Sequence, residues 1–164
     1  MLKPVTVKDL DPMITQIDKE WMLITAGDQE SRNTMTASWG TFGTLWNKPV
    51  SIIFVRPQRY TYQFCESNDY YSLCFFDDSF HKALQFCGTK SGRDVDKEAQ
   101  CGLTPAFDLA PYYNEAHTVV ICKKLYAQDL DQNLFIDTEV LDKNYPARDM
   151  HRVYVGEIVK VLKK

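Results

Sequence analysis

Val50-Ser-Ile-Ile-Phe-Val55, followed directly by Arg56-Pro-Gln-Arg-Tyr-Thr-Tyr-Gln63, is the stretch from which the fold is read. Its first six residues are short, β-branched and apolar, the pattern of a buried strand. Pro57 suits the first position of a helix, where a missing N–H costs nothing. Tyr60 with Phe64, and Thr61 with Cys65, stack four apart, so a helix is expected to run to about Asn68. Arg56 and Arg59 then crowd its first turn. That is the wrong sign for the positive end of a helix dipole, a penalty of roughly 0.3–1 kcal/mol per charge. An anion placed there reverses the sign, because free N–H groups and two guanidinium forks converge on it. Two readings stand for this segment: arginines paired with surface carboxylates, or a phosphate site.

Outward from this segment, strands dominate. Trp21–Ala26 reads as a first strand with Gly27–Asn33 as its turn, and Thr34–Trp39 alternates strictly, placing Thr34, Thr36 and Ser38 on one face. Tyr70–Phe76 follows the helix. Ser79 is expected to cap a second helix with Phe80, Ala83, Leu84 and Cys87 on its apolar face, closed by Gly88. Ser91 and Asp94 form a variant capping box opening a short helix to about Gln100. A proline-bearing loop covers Gly102–Asn114. His117–Tyr126 and Leu134–Val140 read as a hairpin across Asp129–Asn133, and Arg152–Leu162 as a last long strand with a bulge at Gly156. Short strands with hairpin-scale links and few helices predict a mainly β fold, an antiparallel barrel or sandwich with helices packed outside. A doubly wound sheet is disfavoured, since strands and helices do not alternate and no Gly-x-Gly-x-x-Gly follows a strand.

At 164 residues the chain is expected to form one domain, residues 1–164, large enough to bury a core without metal or disulfide. A net charge of −3 and a pI near 5.6 argue against a nucleic-acid or anionic-membrane surface. Any basic cluster is therefore local and aimed at something small. No apolar run approaches the roughly 18–20 residues that span a bilayer, and the N-terminus lacks a signal-peptide pattern. Five scattered cysteines without Cys-x-x-Cys spacing suit reduced thiols, and the expected location is the cytoplasm. Three distant histidines offer no metal site.

Four constellations bear chemistry. Asn33-Thr-Met-Thr-Ala-Ser-Trp39 presents hydroxyls that either meet water or line a cavity, with Trp39 and Trp46 bracketing a Gly-containing loop. Arg56–Thr61 is the helix start already described. Gly88-Thr-Lys-Ser-Gly-Arg-Asp-Val-Asp-Lys97 is either a solvated turn or a second anion cradle. His151, at the head of the last strand, is either a surface residue or a functional one.

In order and spacing, Asn33–Trp39, Trp46-Asn-Lys-Pro49, Arg56–Gln63, Ser91-Gly-Arg-Asp-Val-Asp-Lys97 and His151-Arg-Val-Tyr-Val-Gly-Glu157 resemble the flavin reductase-like, FMN-binding split-barrel family, its flavoredoxin branch above all. The resemblance covers about residues 15 to 162. It implies a six-stranded antiparallel Greek-key split β-barrel, a homodimer, and FMN in grooves near the subunit interface. By that resemblance Asn33 and the strand Met35, Thr36, Ala37, Ser38 and Trp39 lie along the flavin. Arg59, Tyr60 and Thr61 hold the phosphate with Arg56 or Ser38, and Ser91, Gly92 and Lys97 close the other side. His151 is expected near a nicotinamide. Many reductases of the family carry Gly-Asp-His there, whereas this chain has Asp149-Met-His151, which sets the use of NAD(P)H in question and leaves FMN untouched.

Flavin chemistry asks little of side chains, because the cofactor takes the hydride or electrons and the protein orients it. The resemblance therefore implies an electron-transfer flavoprotein and an enzyme, an NAD(P)H:flavin oxidoreductase passing hydride from nicotinamide to flavin, with NAD(P)H or a redox protein as donor. A non-enzymatic FMN carrier and a flavin-dependent oxidase of the same barrel type are the alternatives.

Overall fold

The computed structural model describes residues 16–164; the reading of the N-terminus as lacking a signal peptide falls outside them. Among the described residues nine strands occur: β1 (Met22–Gly27), β2 (Arg32–Ala37), β3 (Gly40–Leu45), β4 (Lys48–Val55), β5 (Tyr70–Phe75), β6 (Pro105–Phe107), β7 (Pro111–Tyr113), β8 (Thr118–Asp129) and β9 (Arg152–Lys163). Four α-helices accompany them: α1 (Thr61–Ser67), α2 (His81–Thr89), α3 (Lys97–Cys101) and α4 (Thr138–Asn144). Seven strands form one sheet in the order β2-β1-β5-β8-β9-β4-β3, every neighbouring pair antiparallel, while β6 and β7 make a separate ribbon.

That order forces the sheet to roll up. Its two edges, β2 and β3, are joined by Ser38 and Trp39 alone. In a flat sheet six steps of about 4.8 Å would hold the edges about 29 Å apart. The link from Ala37 to Gly40 spans at most about 11 Å. The edges must therefore meet, and Gly40 of β3 lies against Met22 of β1, where an added Cβ would come within 3.1 Å of the methionine methyl. Inside the roll, Met22, Ile24, Ile53, Tyr71, Phe75 and Tyr154 form a fully buried core, with the Phe42 and Phe75 rings 6.2 Å apart across it. Alternate residues face outward. Leu23, Cys74 and Ile121 pack there with Leu84 and Cys87 of α2 and Tyr113 of β7, making a second core under the helix.

Several expectations are corrected. The sheet has seven strands rather than the six that the resemblance implies, and the Gly-containing loop expected between Trp39 and Trp46 is strand β3. Trp46 and Asn47, both at positive φ (53° and 57°), form the two-residue turn of the β3–β4 hairpin, a backbone that matches strand twist. Residues 134–140 are no strand: β8 pairs with β5 and β9, and Asp137 instead caps α4, accepting from Glu139 N–H at 3.0 Å and Val140 N–H at 3.3 Å. α1 begins at Thr61, four residues after Pro57. A 3₁₀ turn, Asp78–Phe80, leads into α2, and Ser79 makes no cap. Asp96, not Ser91, caps α3 by accepting from Ala99 N–H at 3.0 Å. The bulge near Gly156 belongs to the facing strand, where Leu125 is the extra residue between Lys124 and Tyr126. Gly156 itself answers a close approach: a Cβ there would sit 2.8 Å from Tyr71 Cζ and 2.9 Å from Cys122 Cβ.

Candidate functional site

The site is built where β4 hands the chain to α1. Arg56 C=O accepts from Arg59 N–H at 3.0 Å and Arg59 C=O from Tyr62 N–H at 2.9 Å, so residues 56–60 turn tightly before the helix. The helix entry has no cap of its own. Asn33 of β2 supplies one. Thr61 Oγ1 (2.7 Å), Thr61 N–H (3.2 Å) and Thr34 N–H (3.3 Å) all face its amide, which assigns the oxygen to that side. Gly92 packs flat on this pair, since a Cβ would come 3.0 Å from Asn33 Cγ and 3.1 Å from Tyr60 Cδ1. Residues 33, 61 and 92 are thereby locked together.

Two cations converge beside them. Arg59 donates to Gly88 C=O at 2.7 Å and Cys87 C=O at 3.3 Å. Lys97, only 5% exposed, donates to Thr34 C=O at 2.7 Å and Cys87 C=O at 2.9 Å. The Cys87 and Gly88 carbonyls lie at the end of α2, where a helix leaves acceptors unsatisfied, and Thr34 C=O belongs to β2. Neither cation is paired with a carboxylate among the described residues. Burial pulls the Lys97 ammonium down to about 8 and lowers Arg59 as well. Arg59 retains three of its five N–H donors, and Lys97 one of three.

Both line a cleft of about 160 Å³ together with Lys90, Thr61, Thr89 and Ser91, and no carboxylate lines it. That is room for about five waters, the scale of a phosphate and the start of its chain. Arg93 adds a further positive charge at the rim, its guanidinium 4.6 Å from the Tyr60 ring centre. A larger cleft of about 290 Å³ adjoins it through Asn33, Tyr60 and Lys97. There the cation Arg32 is spent on Glu98, at 2.7 and 2.8 Å, with Tyr113 donating to the same carboxylate at 3.2 Å.

Of the two readings for the arginines, each describes one residue. Arg56 is ion-paired to Asp149, donates to Asn144 C=O at 2.8 Å and lies 5.3 Å over the Tyr145 ring. It is not grouped with Arg59 and Lys97. Gln58 also donates to Asp149, at 2.6 Å, and these two partners hold that carboxyl below the usual carboxylate range. The β2 face is likewise used internally: Thr34 bonds to Thr25 at 2.9 Å, Thr36 donates to Leu84 C=O of α2, and Met35 lies in the core. Ala37 and Ser38 are half-buried and Trp39 is 46% exposed, so open surface begins at the end of the strand.

His151 is 7% exposed and forms a second cluster. Its Nδ1 meets Tyr145 Oη at 2.7 Å, and the Trp39 and Phe54 rings lie 5.2 and 6.4 Å away. Burial, with Arg56 adding to it, pulls the imidazole down to about 4, so it is neutral in ordinary buffers. Tyr145 and the pairing role of Asp149 were missed by sequence reasoning. No local signal marks them, because their partners Arg56, Gln58 and His151 lie in the turn after β4 and just before β9.

An antiparallel sheet rolled until its edges meet is a split barrel, and a cleft lined by cations without a carboxylate opens at the entry of α1. The chain matches the flavin reductase like domain over residues 15–163, and it belongs to that family. Among solved structures it is similar to flavoredoxin from Methanosarcina acetivorans, with 22% identity and a TM-score of 0.69 over 88% of this chain and 68% of that one. It is also similar to an FMN-binding protein from Thermus thermophilus (20%, TM-score 0.66, covering 87% and 69%). A third is the NADH:FAD oxidoreductase of Streptomyces globisporus (16%, TM-score 0.65, covering 99% and 87%). No match is found among curated protein sequences. None of the described helices is long and apolar enough to cross a membrane.

Proposed function

We propose that this chain is an FMN-binding flavoprotein that transfers electrons, with hydride supplied by NAD(P)H or electrons by a redox protein. The observation that carries this is the cleft lined by Arg59, Lys90 and Lys97 with no carboxylate, in a chain of net charge −3. Two cations held only by carbonyls, Lys97 buried and Arg59 half-buried, are costly unless an anion completes them. Arg59 and Lys97 would grip the phosphate, Ser91 would add a hydroxyl donor, and Asn33 with Thr61 would keep the α1 entry in place. Trp39 would wall the flavin, with the neutral imidazole of His151 behind it. When bound, the flavin supplies the hydride and electron chemistry.

Titration with FMN is expected to show saturable binding; its absence would sink the proposal. The pH dependence follows from Lys97. A phosphate monoester reaches its dianion above about pH 6, while Lys97 is charged below about 8. Affinity should therefore be greatest between these and fall as pH climbs past 8, with riboflavin showing no such fall. A flat profile for FMN would remove Lys97 from the site.

If a nicotinamide is the donor, His151→Ala should slow flavin reduction more than it weakens FMN. An interaction made with the donor alone affects the hydride step and its KM, not the affinity for flavin. Equal stopped-flow rates for the two proteins would exclude His151. The burial of His151 against Tyr145 favours a second reading, an FMN carrier with no nicotinamide site. Anaerobic bleaching of the bound flavin by NADH or NADPH decides between them.

The protein is further proposed to act as a homodimer. Trp39 and Leu45–Trp46, at the two ends of β3, are exposed, and Trp46 meets Tyr126 of β8 edge-on at 6.3 Å. Apolar groups gathered on one edge favour a covering partner. Light scattering that reports a monomer with FMN bound would contradict this.

A further inference from the structure

Cys87 and Cys101 bring their Sγ atoms to 3.8 Å. Cys87 lies in the last turns of α2 and is buried; Cys101 ends α3 and is partly exposed, so an oxidant reaches the pair through it. The backbone of this pair is also the support of the cation cleft. Cys87 C=O accepts from both Arg59 and Lys97, and Lys97 stands four residues before Cys101 on the same single-turn helix. We propose that Cys87 and Cys101 are a redox-active dithiol whose closure to a disulfide weakens the Arg59–Lys97 anion site. The coupling rests on the reading of that site as the flavin phosphate's.

The geometry sets the direction. A disulfide holds its sulfurs about 2.05 Å apart, so closure brings the two Sγ atoms about 1.8 Å closer, by side-chain rotation together with movement of the helix ends. Side chains in a close-packed interior do not absorb such a shift smoothly. Cys87 C=O moves relative to the guanidinium and ammonium it orients, and Lys97 moves with Cys101. With a peroxide as oxidant, the Cys101 sulfur attacks one oxygen, the O–O bond breaks, and a sulfenic acid and one water result. The Cys87 sulfur then displaces the hydroxyl as a second water. Two thiols lose two electrons and two protons, and the peroxide is reduced to two waters. Burial pushes Cys87 up to about 12 and raises Cys101 too, so thiolate is scarce and closure is slow at neutral pH and faster as pH rises.

The test treats the full chain with hydrogen peroxide, maps its disulfides by mass, and titrates FMN and riboflavin before and after. A linked Cys87–Cys101 peptide pair, two hydrogens lighter than the free thiols, is expected in wild type and absent from Cys101→Ser. FMN should bind roughly tenfold more weakly after oxidation, the worth of one charge-assisted hydrogen bond, with riboflavin unchanged and reductant restoring the loss. Cys101→Ser should keep its FMN affinity through the same treatment. No linkage, or a linkage that leaves FMN affinity intact or weakens both ligands equally, overturns the proposal. Failure of the flavin reading shows separately, as reduced protein that binds neither ligand, and the peptide map still decides the dithiol.

Discussion

Arg59→Ala weakens FMN by roughly ten- to a hundredfold and leaves riboflavin nearly unchanged. The two ligands share the ring system and ribityl chain and differ only in the phosphate, so their affinity ratio isolates the anion site. A hydrogen bond to a charged group contributes about 1.5–3 kcal/mol, which the affinity arithmetic turns into that range. Arg59 also donates to the Gly88 and Cys87 carbonyls at the end of α2, so the variant loses some stability as well. That loss bears on both ligands alike and cancels in the ratio. Arg59→Lys should recover part of the affinity, because a point charge cannot reproduce a bidentate fork. Equal weakening of FMN and riboflavin would mean that Arg59 serves only the fold and the phosphate lies elsewhere.

The largest stability effect is expected at Gly156. An added methyl group would lie within the van der Waals envelope of Tyr71 and Cys122, in the part of β9 that pairs with both β4 and β8. Tyr71 cannot retreat without breaking its 2.6 Å hydrogen bond to Ser51 in the fully buried core. Overpacking costs about 1–3 kcal/mol, and an unsatisfied buried hydroxyl about 1–3 kcal/mol more. Gly156→Ala should therefore lower the melting temperature by roughly 5–15 °C in a chain of this size. Gly43, on the exposed edge strand with nothing within 4 Å of its would-be Cβ, is the control. Gly43→Ala should shift stability by no more than about 0.5 kcal/mol. Calorimetry that finds the two variants equally stable would show that Tyr71 yields freely.

How much of this was legible in the sequence depended on how local the cause was. β1, β5, most of β4 and the first half of β9 are runs of largely apolar residues with little exposure on either face, and their composition announces them. β3 carries Gly40, Gly43 and two threonines, faces solvent for most of its length, and is a strand chiefly because β4 pairs with it. Leu134-Phe-Ile136 imitates a strand by composition, while the decisive residue is Asp137, whose carboxylate caps the next helix. At the site, Arg59 and Lys97 were readable as cations at two turns. That both rest on one carbonyl of α2 was not, since it depends on how the helix packs over β2. The pairing of Arg56 with Asp149 was equally hidden, because it joins residues that only the β4–β9 ladder brings together.

The place of β9 in the sheet also fixes when the barrel can close. The strand nearest the C-terminus is interior, wedged between β8 and β4, with Val55 pairing to Arg152 across roughly a hundred residues of chain. As the polypeptide leaves the ribosome, the β1–β2 and β3–β4 hairpins can form early, but β4 presents an unpaired edge until the last segment emerges. Folding should therefore be limited by that late insertion, in milliseconds to seconds, and a nascent chain stalled before residue 152 should carry an apolar edge that chaperones bind.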